Sequence, residues 1–179
     1  YNVTMIVTDD GTPALTDTET ISITVAEVNL PPVLVPIGDQ VVEEGSALTL
    51  QVVATDPDLP ANSLTFSLDE APVGATIDRT TGLFTWTPTD GPGTATVTVR
   101  VTDDGTPALF ALESFEIAVT NVAPTLTLSG YGKVEEGKTY LVGLASSDPG
   151  EDTITGWEIT WGDGLVELVP GIPVTVPHV

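Results

Sequence analysis

Two aspartates, Asp56 and Asp58, stand in an Asp-Pro-Asp sequence that is followed by Asn62. Carboxylate and amide oxygens suit a hard divalent cation such as Ca²⁺, which takes about 6 to 8 of them at roughly 2.3 to 2.6 Å. Two carboxylates two residues apart and a loop amide can converge on one ion if the fold brings strand ends together. Asp-Pro-Asp and Asp-Asp-Gly are also good turn formers, because aspartate accepts hydrogen bonds from the nearby backbone. The residues therefore predict either a cation site or a set of tight turns.

The residue types that catalysis needs are sparse in this chain. A hydrolytic triad requires a histidine base, and the one histidine, His178, stands in a strand-like context. Glu43 and Glu44 are adjacent on an extended segment and point to opposite faces, whereas glycosidase carboxylates face each other across about 5 to 9.5 Å. With no cysteine, the chain has no thiol nucleophile and no zinc-thiolate site. We therefore expect a protein that is not an enzyme.

The charge of the chain limits its partners. Its 179 residues include 26 Asp+Glu and 4 Lys+Arg, which gives 4 − 26 = −22. Such a surface repels phosphate backbones and anionic membranes, because binding either requires clustered basic residues. We expect no nucleic-acid partner, and with no run of about 18 apolar residues we expect no transmembrane segment. The sequence opens at Tyr1 in mid-pattern, so we expect any signal peptide or anchor to lie outside it.

An internal repeat organises the sequence. Residues 7–15, Val-Thr-Asp-Asp-Gly-Thr-Pro-Ala-Leu, recur without change at 101–109, a spacing of 101 − 7 = 94. The sequence Val-Glu-Glu-Gly at 42–45 recurs at 134–137, a spacing of 134 − 42 = 92. Recurrence at a fixed period indicates tandem structural units. Three domains are predicted: 1–28 as the C-terminal strands of a truncated repeat, 29–121 as a complete repeat, and 122–179 as the N-terminal part of a truncated third domain.

The hydrophobic pattern of the complete repeat has a period of two. Val97, Val99 and Val101 alternate with threonine and arginine, which indicates antiparallel strands with one buried face. Turn sequences such as 104–107, Asp-Gly-Thr-Pro, separate these runs at intervals of roughly 8 to 12 residues. Short strands at this spacing predict tandem immunoglobulin-like Greek-key β-sandwiches. We expect an all-β fold with no significant helix.

Several segments of the complete repeat carry a family resemblance. They resemble a cadherin repeat, in particular the bacterial dystroglycan-type cadherin-like and "Putative Ig" variants, and Trp-Thr-Pro at 86–88 is similar to the W-x-P signature of those variants. The segments are 53–58, 62–68, 77–84 and 101–103. The third domain departs from this pattern and resembles the PKD (polycystic kidney disease) domain, with His178 where that family begins an H-x-Y strand. The segments in this case are 147–150, 154–157 and 161–164.

The resemblance to cadherins implies Ca²⁺ ligands near the junctions between repeats. In cadherins an Asp-x-Asp pair, a following asparagine and the aspartate that ends the sixth strand bind one ion. These positions match Asp56, Asp58, Asn62 and Asp103. Three further positions match the linker asparagine, the first glutamate of the repeat and the preceding repeat's equivalent of Asp103; they are Asn29, Glu44 and Asp9. The cadherin Asp-Arg-Glu motif is absent, and residues 86–90 occupy its region, which favours a single ion over a paired-ion cage.

The expected function is that of a non-catalytic, calcium-binding segment of a large bacterial protein that is extracellular, either secreted or a membrane-associated protein of the cell surface. It would act in cell adhesion or as a stalk or spacer. The expected partners are neighbouring repeats of the same chain, other cell-surface proteins, or polysaccharides.

An alternative is a set of accessory spacer or binding modules of a secreted polysaccharide- or protein-degrading enzyme. In a third interpretation the carboxylates only keep the protein soluble in salt. Extracellular Ca²⁺ sites of this kind are weak, with Kd values on the order of 10⁻⁴ to 10⁻³ M.

Overall fold

The computed structural model describes residues 1–172 and 175–179, and every regular element in these ranges is a β-strand. The strands are β1 (Asn2–Thr8), β2 (Thr16–Ser22), β3 (Val33–Leu34), β4 (Gln40–Glu43), β5 (Leu48–Gln51), β6 (Ala54–Thr55), β7 (Thr65–Glu70), β8 (Thr76–Ile77), β9 (Leu83–Trp86), β10 (Gly93–Thr102), β11 (Phe110–Thr120), β12 (Thr125–Ser129), β13 (Tyr140–Ser147), β14 (Gly156–Thr160), β15 (Val166–Pro170) and β16 (Thr175–His178). The predicted all-β fold class is confirmed. Across the described ranges, no helix has the length and apolar character needed to cross a membrane.

The middle of the chain forms a sandwich of two principal sheets. One sheet has the strand order β4-β11-β10-β7 and the other has the order β5-β9-β8, while β3 and β6 form a separate pair. Strands β10 and β11 form the longest antiparallel ladder, from Gly93 opposite Val119 to Thr102 opposite Phe110. Strand β4 is the exception in direction, since it pairs in parallel with β11. The chain crosses between the two principal sheets after β4, β7 and β9, while β8–β9 and β10–β11 are hairpins within one sheet, as in a Greek key.

The core of this sandwich follows from the alternation in its strands. Val97, Val99 and Val101 of β10 are fully buried, as the period of two predicts. Opposite them, Phe84 of β9 is also fully buried and meets Phe115 of β11 edge to face, with ring centroids 6.0 Å apart. Such aromatic pairs add to the stabilisation that comes from burial of apolar area. The two sheets are thus joined by one apolar core.

The turn between β8 and β9 is built on one aspartate. Asp78 Oδ1 accepts hydrogen bonds from the backbone N–H of Thr81 at 2.7 Å and of Thr80 at 3.0 Å, and from the Thr81 hydroxyl at 2.9 Å. These bonds, the Thr81 backbone bond foremost, hold the pKa of Asp78 below its ordinary value. A carboxylate that gains hydrogen bonds only in the folded state stabilises the fold in its ionised form.

Replacement of this carboxylate is expected to give a pH-dependent loss of stability. Asp78→Asn should lower the free energy of unfolding at pH 7, because an amide oxygen accepts these bonds more weakly. The contribution of Asp78 is fully present above the unfolded-state pKa of about 3.9 and is lost as pH falls through the lower folded-state pKa. Urea unfolding of both proteins from neutral to strongly acidic pH measures the difference, and a constant difference across that range would contradict this assignment.

The two ends of the chain form smaller sheets. Strands β1 and β2 pair from Asn2 opposite Ser22 to Thr8 opposite Thr16, and every residue of this hairpin is exposed. Beyond β11, one sheet has the order β12-β13-β16 and a second consists of β14 and β15. The boundaries predicted for the three domains stay a prediction.

Candidate metal centres at the two linkers

The first candidate site lies where residues 29 and 30 meet one end of the middle sandwich. Asp58 follows β6 and Asp103 follows β10, and both side chains are buried at this end. The backbone N–H of Leu30 donates to Asp58 Oδ2 at 3.0 Å. Asn29 Nδ2 donates to Asp103 Oδ2 at 3.1 Å and to the Pro107 carbonyl at 2.9 Å. The structure therefore brings Asn29, Asp58 and Asp103 together.

Many of the oxygens at this end also hold turns. Asp56 Oδ1 accepts from the backbone N–H groups of Asp58 and Asn62, both at 3.0 Å. Asp103 Oδ1 accepts from the N–H of Gly105 at 3.1 Å and of Leu109 at 2.9 Å. The turn-forming interpretation thus applies to one oxygen of each aspartate. The second oxygen of Asp56 and the amide oxygen of Asn29 are buried without a hydrogen-bond partner. These two oxygens are therefore available to bind a cation.

Asp9 lies apart from this group, in the β1–β2 hairpin. Its Oδ1 accepts from the N–H of Leu15 at 2.8 Å and of Gly11 at 3.1 Å. These two bonds, the one from Leu15 foremost, lower its pKa. The arrangement repeats that of Asp103, whose Oδ1 accepts from the equivalent residues Gly105 and Leu109. Among the hydrogen bonds of the described residues, those of the Asp9 carboxylate stay within the hairpin.

The second candidate site lies where the chain leaves the middle sandwich. Glu44 follows β4, Asp90 precedes β10, and Asp152 follows β13. Each offers one oxygen, and these three oxygens all lie within 4.8 Å of one another. In the part of the chain that the structure describes, this is the one group of three acidic side chains that meets this distance. Sequence reasoning identified Glu44 but missed Asp90 and Asp152.

Glu44 is the most buried member of this group, with 1% of its surface exposed. Its Oε1 accepts a hydrogen bond of 2.7 Å from the backbone N–H of Val122, while its Oε2 is buried with no partner. A buried carboxylate is costly unless it is paired and hydrogen-bonded. Gly150 provides the space that Glu44 occupies, because a Cβ at that position would lie 2.5 Å from Oε2. Gly150, which follows β13 beyond the linker, thus leaves room for the unpaired Oε2 of Glu44.

No basic side chain neutralises this group among the described residues. The Arg100–Asp69 ion pair and the contact between His178 and Asp163 involve none of the three carboxylates. The pKa of Asp152 is raised by burial and by the charges of Glu44, Asp90 and Asp148. The group therefore carries uncompensated negative charge.

The spacing of these oxygens suits a calcium ion. Ligands on opposite sides of one Ca²⁺ lie about 4.6 to 5.2 Å apart, twice the ion-to-oxygen distance, and neighbouring ligands lie closer. A separation of at most 4.8 Å between every pair falls within this range. The donor set also fits, because all three atoms are carboxylate oxygens. Glu44, Asp90 and Asp152 could therefore hold one ion.

The middle of the chain matches a known protein family. Residues 31–120 match the model of the family described as "Putative Ig domain", which is 90 of the 179 residues. The chain belongs to the Putative Ig domain family. Among curated protein sequences there is no match.

Solved structures extend this likeness to the fold of cadherins. The Putative Ig domain chain is similar to mouse cadherin-23 EC22-24, with TM-score 0.55 and 19% identity over 96% of this chain and 64% of that one. It is similar to the protocadherin gammaB7 EC3-6 cis-dimer structure, with TM-score 0.54 and 22% identity over 82% of this chain and 44% of that one. At these identities the likeness shows the fold alone. The Putative Ig domain chain spans less than two thirds of either structure.

Proposed function

We propose that this chain is a calcium-binding, non-catalytic segment of tandem immunoglobulin-like repeats that acts as an adhesive stalk or spacer. Membership of the Putative Ig domain family and the cadherin-like fold support the repeat architecture. The observation that carries the calcium proposal is Glu44, buried, with one unpaired oxygen, and in reach of Asp90 and Asp152. Ca²⁺ would supply the positive charge that these carboxylates lack.

The three carboxylates explain how such a site would stiffen the chain. Glu44 and Asp90 belong to the middle sandwich, whereas Asp152 lies beyond the linker at residues 121–124, after β13. Glu44 already holds the linker through its hydrogen bond from Val122. Carboxylates from both sides that share one ion lose the freedom to move apart. The linker then becomes a stiffer joint.

The first candidate site, at the first linker, stays part of the proposal as an additional calcium site. Asn29, Asp58 and Asp103 converge there, and Asp56 and Asn29 each keep a buried oxygen without a partner. Asn62 and Asp9 are proposed on the cadherin resemblance alone.

We also propose a location outside the cell, where weak calcium sites are occupied, and a bacterial origin, as the sequence resemblance implies.

A PKD-like assignment of the third domain is proposed on its motifs. The ring of Trp161 stacks on that of His178 with centroids 4.0 Å apart, and His178 Nε2 lies 3.2 Å from Asp163 Oδ2, which joins the two motifs of that resemblance.

A calcium titration of thermal unfolding tests the proposed function. We expect the unfolding midpoint of the 179-residue chain to rise with Ca²⁺, by the equivalent of about 1.4 kcal/mol when the free ion is at ten times its Kd.

Glu44→Gln should unfold at a higher temperature than the wild type without calcium, because a buried unpaired charge is removed while the bond from Val122 remains. The same variant should lose most of the calcium response. Scanning calorimetry in chelator and in millimolar Ca²⁺ measures both effects.

Glu43→Gln is the matched control, since Glu43 is the neighbouring glutamate and is exposed. It should respond to calcium like the wild type. A wild-type midpoint that does not move with Ca²⁺ but rises in concentrated NaCl would refute the proposal and support the solubility interpretation.

A further inference from the structure

Asn121, the first residue of the second linker, lies between the carboxylates of the second site. Without a cation the nitrogen of the Asn121 amide must face these carboxylates, because an oxygen in its place would meet only acceptors; in that orientation Asn121 donates to Glu44 Oε1 at 2.9 Å and to Asp152 Oδ2 at 2.6 Å. Glu44 belongs to the middle sandwich and Asp152 to the region beyond the linker. One NH₂ group therefore joins two acidic oxygens that would otherwise repel each other across the joint.

The position of this NH₂ group is also suitable for a calcium ligand. If the amide turns by half a rotation about its last side-chain bond, the oxygen takes the place of the nitrogen. That oxygen would then lie 2.6 to 2.9 Å from Asp152 Oδ2 and Glu44 Oε1. Neighbouring oxygens in the pentagonal plane around Ca²⁺, each about 2.4 Å from the ion, are about 2.8 Å apart. The same position therefore suits either the amide nitrogen as a hydrogen-bond donor or the amide oxygen as a calcium ligand.

The requirement for a ligand at this place has an independent basis in Glu44. Its Oε2 has no hydrogen-bond partner and the side chain is 1% exposed, so the Asn121 amide leaves one buried acidic oxygen unsatisfied. The amide therefore compensates the cluster only in part, and a cation would compensate it further.

We infer that Asn121 is a switch that alternates with the ion. Without calcium its NH₂ bridges Glu44 and Asp152, and with calcium the amide rotates and its oxygen joins the same two carboxylates around the ion. This inference rests on the proposed function, because it requires an ion at the second site. It adds that the joint is held closed in both states, by a donor in one and by a metal in the other.

The first linker contains the equivalent residue in a similar state. Asn29 precedes Asn121 by 121 − 29 = 92 residues, the period of the repeat. Its Nδ2 also donates to a buried carboxylate, Asp103, while its Oδ1 is buried without a partner. An asparagine at both linkers thus points its NH₂ group at an acidic oxygen, although only Asn121 bridges two carboxylates in this way.

The variant Asn121→Asp separates the two roles of the side chain. It removes both donors and adds a carboxylate, so we expect the calcium-free unfolding midpoint to fall by several degrees. It also adds a charged ligand, and ligand charge tunes calcium affinity, so the Kd measured by calorimetric titration should fall by about tenfold. Asn121→Ala should lower the calcium-free midpoint and also weaken calcium binding. Asn2→Asp makes the same chemical change in the β1–β2 hairpin and should leave the calcium Kd as in the wild type.

A direct readout follows the amide itself. In ¹H–¹⁵N spectra the side-chain NH₂ resonances of Asn121, assigned by their loss in Asn121→Asp, should move on addition of Ca²⁺, while those of Asn2 stay in place. If the wild type takes up no calcium, the proposed function fails and the switch fails with it. If the wild type binds calcium but Asn121→Asp binds it no more tightly, or keeps the calcium-free midpoint, the switch alone is overturned.

Discussion

Phe84→Ala is expected to lower the free energy of unfolding of the middle sandwich by about 3 to 5 kcal/mol. The side chain is 0% exposed, and its ring meets that of Phe115 in the facing sheet. Truncation would leave a cavity between the sheets and remove the edge-to-face contact, and a rigid sandwich core collapses only in part around such a cavity. A loss of this size is a large part of the stability of an ordinary domain.

Leu83→Ala is the matched control for this substitution. Leu83 is the preceding residue of β9, points to the opposite face of the strand and is 39% exposed. Its replacement should cost much less, because more than a third of the Leu83 side chain already faces solvent, whereas Phe84 is fully enclosed. Denaturant unfolding followed by tryptophan fluorescence measures both variants. Equal losses would show that the core does not lie between β9 and β11.

Gly82→Ala is expected to destabilise the same sandwich by about 2 to 5 kcal/mol, from two separate causes. Gly82 has φ +73°, where an L-residue other than glycine costs about 1 to 2 kcal/mol. An added Cβ would also lie 2.8 Å from the Val52 carbonyl oxygen and 3.1 Å from the ring of Phe66. Overpacking of this kind typically costs about 1 to 3 kcal/mol more.

Gly74→Ala separates the two causes. Gly74 has φ +84°, and nothing lies within 4 Å of the position its Cβ would take. This variant should therefore show only the backbone strain, about 1 to 2 kcal/mol. The difference between the two variants, measured by urea unfolding, gives the contribution of the close approach at Val52. A loss at Gly74 that equals the loss at Gly82 would contradict the steric argument.

The repeated nine residues show what sequence alone can and cannot predict. Residues 7–15 and 101–109 are identical, and both copies contain the end of a strand and a turn on an aspartate. Val101 is nevertheless 0% exposed and Val7 is 67% exposed. Strand and turn were predictable because backbone preference and side-chain hydrogen bonds are local. Burial was not, because it depends on whether other strands cover the same face.

The second site shows the same division for function. The sequence singled out Glu44 through the repeated Val-Glu-Glu-Gly motif, and its role as a calcium ligand stays a proposal. Asp90 and Asp152 carry no motif: Asp90 meets Glu44 through the fold of the middle sandwich, and Asp152 meets it only because the linker sets one unit against the next. Asn121 could have been found from sequence, since the repeat that includes Asn29 recurs there 92 residues later. Convergence across a linker is a property of three-dimensional arrangement and not of spacing along the chain.

The parallel pairing of β4 with β11 has a mechanical consequence. β4 lies near the point where the chain enters the middle sandwich and β11 ends where it leaves, and the two are hydrogen-bonded from Gln40 opposite Ile117 to Glu43 opposite Thr120. A pulling force along the chain draws these two strands in opposite directions along their common length. Their hydrogen bonds are then loaded together in shear and cannot open one at a time, as the bonds of a hairpin pulled from its open end can. A sandwich connected in this way is suited to bear tension between whatever lies at its two ends.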